Sequence, residues 1–96
     1  DINLLIGTEW GIPQIEEGSE QYVEPAPTVF HNDGRVVFGN GSYDFWEING
    51  SRSLVLRQRS QVWQILDLTE ESMKVEKLNY TNGQFLVRCV YYPQEK

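Results

Sequence analysis

The feature that most constrains this chain is an alternation of apolar and polar residues with a period of two. Turn chemistry breaks it every eight to twelve residues. Alternation puts successive side chains on opposite faces of a pleated strand, and short strands at that spacing specify a sandwich or barrel. Runs of this kind are Thr8–Ile12, Thr28–Phe30, Arg35–Phe38, Ser42–Ile48, Leu54–Leu56, Gln61–Leu66, Met73–Leu78 and Phe85–Tyr92. Between them stand Asp33-Gly34, Gly39-Asn40-Gly41, Asn49-Gly50 and Asn82-Gly83, pairs suited to hairpin turns because Gly and Asn tolerate positive φ. The acidic stretch 16–27, with Gly18, Pro25 and Pro27, reads as a crossing loop, and 67–72 as a polar connection with room for one helical turn. No apolar stripe of helical period exceeds two turns.

Strands joined by tight hairpins lie side by side and antiparallel. Eight of them leave two bare edges, which closure into a barrel removes. The expectation is therefore one all-β domain spanning 1–96, an antiparallel up-and-down meander of about eight strands forming a small barrel. At 96 residues there is one core, burying roughly 60–65% of the surface of the unfolded chain. The chain opens at Asp1 and its single methionine is Met73, so it reads as processed or trimmed.

Charge and composition narrow the function. The formal net charge of −6 opposes nucleic-acid binding, which needs cations to displace counterions from phosphate. Arg52, Arg57 and Arg59 form the one local basic cluster and read as a solvated strand face. No apolar run approaches the ~20 residues that cross a bilayer, so no membrane-spanning segment is expected. Cys89 is the only cysteine and sits in the alternation Phe85, Val87, Cys89, Tyr91 as a small buried hydrophobe. His31 is the only histidine, which removes His-based triads and multi-histidine metal sites. No carboxylate pair, phosphate-cradling glycine motif or calcium-loop spacing stands out, so neither an enzyme, a metal nor a cofactor is expected. The sequons at Asn40, Asn49 and Asn79 coincide with turns, where Asn is favoured for its backbone conformation.

The aromatics carry the functional reading. Trp10, Trp46 and Trp63 each stand two residues before an isoleucine (Ile12, Ile48, Ile65), which points them into a shared interior. With Leu54, Leu56, Met73 and Val75 they either fill the lumen or line a cavity for a small apolar ligand, since both use the same pattern. The last strand is partly apolar on both faces, so its outer face, through Leu86, Val90 and Tyr92, is a candidate surface for a homodimer or partner protein.

Together the runs 5–10 (Leu-Ile-Gly-Thr-Glu-Trp), 29–34 (Val-Phe-His-Asn-Asp-Gly), 45–50 (Phe-Trp-Glu-Ile-Asn-Gly), 54–56 and 63–75 follow a recognisable order. In that order and spacing the chain resembles the lipocalin-like domains of secreted or lipid-anchored Bacteroidetes proteins. The resemblance covers about 80 residues; Glu9 is an insertion in the opening motif, and the chain is short for a lipocalin. It implies an up-and-down barrel with a lumen for a small ligand, no catalytic residues and an extracytoplasmic location. The interior-facing positions read from the alternation, Trp10, Trp46, Leu54, Leu56, Trp63, Ile65, Met73 and Val75, are the candidate lining.

Overall fold

A computed structural model describes residues 2–94. A single helical turn, α1 (Ile2–Leu5), precedes eight strands: β1 (Gln14–Gly18), β2 (Val29–Phe30), β3 (Arg35–Val37), β4 (Tyr43–Ile48), β5 (Ser53–Leu56), β6 (Gln61–Leu68), β7 (Met73–Asn79) and β8 (Phe85–Tyr91). One short 3-10 turn, Glu20–Tyr22, lies between β1 and β2. All eight strands join one antiparallel sheet in the order β1-β8-β7-β6-β5-β4-β3-β2, which curls into a half-barrel. The all-β meander expected from alternation is thus the observed fold.

The hairpins follow the turn residues. Gly34, Gly41, Gly50 and Gly83 all adopt positive φ. The side chains of Asn40 and Asn79 accept hydrogen bonds from the backbone N–H of Ser42 and Thr81, two residues on, so these two sequon asparagines serve as turn formers.

The first strand differs from expectation. Residues 8–12 form no strand; Trp10 is fully buried while Ile12 is 81% exposed, so the two do not share a face. Gly11 and Pro13 interrupt the alternation there, and Pro13 has no N–H for a ladder. The segment instead bridges the chain entering β2 and the chain leaving β8. Trp10 exchanges backbone hydrogen bonds with Thr28 (2.9 and 2.8 Å), Gly11 donates to the Tyr92 carbonyl (2.8 Å), and Gln94 donates to that of Glu9 (2.7 Å).

The strand that does form, Gln14–Gly18, runs into the stretch 16–27 that its acidity and its glycine and prolines mark as a crossing loop. It pairs with β8, with a bulge between Ile15 and Glu17. Glu16 bonds Lys74 (3.1 Å) and Arg88 (3.2 Å), so cations on β7 and β8 offset the acidic strand. The 67–72 connection likewise contains no helix; β6 runs on to Leu68 and a tight turn follows.

Inside the curl, Leu5, Trp10, Phe30, Val36, Phe38, Leu54, Leu56, Trp63, Met73, Val75, Cys89 and Tyr91 form one buried cluster. Phe30 meets Trp46 and Trp63 edge-on (5.6 and 5.8 Å), and Trp63 stacks on Tyr91 (5.7 Å), geometries aromatic rings favour. Each buried indole N–H is satisfied, Trp10 by the Leu5 carbonyl and Trp63 by Gln61 Oε1.

Candidate functional site

Of the eight residues expected to line a lumen, Trp10, Leu54, Leu56, Trp63, Met73 and Val75 are at or below 1% exposure and pack against one another. Trp46 and Ile65 are half-buried against the same cluster. The interior of the curl is therefore filled by these side chains. The cavity lies at its mouth, where the β4–β5 hairpin and the end of β6 diverge. A pocket of about 220 Å³ there is lined by Ile48, Ser51, Arg52, Ser53, Leu54, Ile65, Asp67 and Leu68.

Local sequence builds this pocket. Ile48 and Leu54 are paired across the hairpin, but Ile48 lies beyond the last packed layer and is 57% exposed, unlike the core position its spacing from Trp46 suggested. A bulge between Ile65 and Asp67 resets β6, so that Leu68 pairs with Met73. Ile65 and Leu68 then form one wall, and the exposed Arg52 and Asp67 stand at the rim.

A second feature went unread in the sequence. Lys77 shares the parity of Met73 and Val75, and like them it is completely buried. Its Nζ donates to the Tyr22 carbonyl (3.0 Å) and to the Tyr91 hydroxyl (2.7 Å). It also lies 4.1 Å from the centre of the Trp63 ring and 5.3 Å from that of Tyr91. Among the described residues no carboxylate reaches ion-pair distance of it. Desolvation pulls its pKa down to about 8. Burial pushes the neighbouring Cys89 thiol up and the Tyr91 hydroxyl well up. The alternation of 73, 75 and 77 was the available signal for this lysine.

Arg59, expected on a solvated face, is instead half-buried in the turn after β5. It bonds Glu24 (3.0 Å) and Asp44 (3.1 Å) and covers the Phe38 ring at 4.3 Å. Arg57 is solvated as expected, paired with Glu47 at the surface. On the outer face of the sheet, Leu86 is buried, Val90 is half-buried between Gln14 and Lys74, and Tyr92 is 47% exposed. Arg88 holds the middle of that face in bonds to Glu16, Glu17 and Glu76.

Among the described residues no three His, Cys, Asp or Glu side chains group as metal ligands, and no helix is long and apolar enough to cross a membrane. No family model matches the chain, and no curated protein or solved structure is significantly similar to it. The lipocalin-like resemblance thus rests on the residues that suggested it.

Proposed function

We propose that this domain is a non-enzymatic binding module, of lipocalin-like kind and extracytoplasmic, that takes a small apolar molecule at the mouth of its half-barrel. The observation that carries the reading is the pocket floored by Leu54 and walled by Ile48, Ile65 and Leu68. Four apolar and four polar or charged residues line it, and an apolar floor beside a few convergent polar groups is a pattern of small-molecule sites. Its 220 Å³ falls below the roughly 300–1,000 Å³ of sites that enclose drug-sized ligands, so it suits a short chain or a single ring. Ser51, Ser53, Arg52 and Asp67 offer hydrogen bonds to one polar end. The other candidate use, a homodimer or partner contact through Leu86, Val90 and Tyr92, has less free surface behind it, because only Tyr92 stands exposed.

The test is titration of 1-hexanol into the labelled protein, followed by backbone amide shifts. The expected result is saturable movement confined to residues 48–54 and 65–68, lost in Ile48→Glu, a substitution at an exposed position that leaves the core intact. Native mass spectrometry of detergent-free protein should show a discrete added mass that leaves on activation. Unsaturable or scattered shifts, together with a bare mass, contradict the proposal.

A further inference from the structure

The sheet has two edges, β1 and β2, and the segment joining them in sequence crosses the gap between them. This strap is anchored at both ends. Gly18 at its start has φ +103°, and any Cβ there would collide with the Leu86 carbonyl. Ser19 donates to that same carbonyl (3.3 Å). At the far end Gly39 donates to the Pro25 carbonyl (2.8 Å), and Glu24 is fixed by Arg59. Between the anchors the 3-10 turn is held by bonds of its own, Ser19 Oγ accepting from Gln21, and by the Lys77 ammonium beneath it.

Beside the strap runs an open groove lined by Ile12, Pro13, Ile15, Ser19, Glu20, Gln21 and Val23. Its floor, Ile15, packs on the core and is paired with Cys89, which lies on the inner face of β8 next to Lys77. Ile12 stands at its entrance as the most exposed large apolar residue described.

Lys77 gives this groove a chemical preference. A buried ammonium has lost its hydration, and neutral acceptors replace only part of it. The groups around it are a carbonyl, a phenol and two ring faces; Glu24, the strap carboxylate whose charge reaches it, is engaged with Arg59. An anion brought to Nζ would find a full, weakly screened charge. We propose that the strap covers a binding site for a monocarboxylate amphiphile, whose carboxylate replaces the Tyr22 carbonyl at Lys77 Nζ while its hydrocarbon tail lies along Ile12, Pro13, Ile15 and Val23. Glu20 and Gln21, exposed polar residues of the groove lining, stay in water. The site is separate from the mouth pocket and does not rest on it.

The test compares decanoate, below its micellar concentration, with 1-decanol by amide shift titration of the intact chain. Decanoate should saturate and move residues 19–24 and 77, binding about tenfold or more tightly than decanol. Lys77→Met, which nearly keeps the volume of the side chain, should bring decanoate down to the level of decanol. Ile12→Glu, at a position that is already exposed, should weaken it without touching Lys77. Ile48→Glu should leave it unchanged, so failure here is distinguishable from failure of the mouth pocket. Equal decanoate binding by the parent and Lys77→Met, shifts confined to 48–54 and 65–68, or no saturation would each overturn the proposal.

Discussion

The regions around Arg59 and Lys77 each bring a cation into the fold under the same strap, and they resolve its charge in opposite ways. Arg59 meets two carboxylates, Glu24 and Asp44, at 3.0 and 3.1 Å. Asp44, itself inaccessible, also accepts from the backbone N–H groups of Phe45, Gln58 and Arg59. Desolvation pulls the pKa of both cations down, but hydrogen bonds to Glu24 and Asp44 more than reverse this for Arg59, which ends above its ordinary value. For Lys77 the more distant charge of Glu24 does not outweigh desolvation, and it ends near 8. A closed charge network fastens structure, whereas an uncompensated cation leaves an interaction for something else to make.

The largest way to break the contrast is at Asp44. Asp44→Ala strands three backbone donors and removes one of the two carboxylates on the Arg59 guanidinium, leaving Glu24. It should cost about 3–5 kcal/mol in urea unfolding at neutral pH. A loss below about 1 kcal/mol would show that the network is not closed as described. Lys77→Met should have the opposite sign, leaving stability unchanged or raising it by ~1–4 kcal/mol, because an apolar side chain of similar size replaces an unpaired buried ion. Marked destabilisation would mean that the cation–π and hydrogen-bond contacts already satisfy it. The smallest effect belongs to the solvated pair of Arg57 and Glu47 on the outer face. Arg57→Ala should move the unfolding midpoint by no more than about 0.5 kcal/mol in free energy, and a larger change would reveal a role for that face.

Much of the sheet was legible because alternation and turn residues are local signals. Asp33-Gly34, Asn49-Gly50 and Asn82-Gly83 mark hairpins, and the strands on either side follow. β1 was not legible. Glu16 and Glu17 argue against a strand, and what permits one is Arg88, 72 residues away from Glu16. The site divides in the same way. Trp10, Trp63, Met73 and Val75 declared an inward face, yet whether that face encloses a ligand or itself depends on packing that periodicity does not encode. Ile48 follows the same period as the core but is exposed at the end of its strand. Leu68 is out of period with Trp63 and Ile65 and is brought against the core by the bulge between Ile65 and Asp67, which periodicity does not encode. Lys77 carried the parity of a core residue and the chemistry of a surface one. Its partner carbonyl on Tyr22, 55 residues earlier in the chain, decided the matter.

The central claim is that Lys77 is desolvated with no carboxylate at ion-pair distance, and its proton equilibrium tests this directly. An unfolded lysine keeps its proton to about 10.5, while the folded one releases it near 8, so between these values the unfolded state binds more protons and stability rises with pH. The buried Cys89 and Tyr91 act the other way as their unfolded counterparts ionise around 9 and 10. Both are present in Lys77→Met as well, so their contributions cancel when the parent is compared with that variant over the window pH 8 to 9. Across it the parent should gain roughly 1 kcal/mol relative to Lys77→Met. The measurement to make is a carbon-13 NMR titration of Lys77 Cε in the folded protein. A midpoint near 8 is the result predicted; a midpoint near 10.5, that of a solvated lysine, would contradict the account.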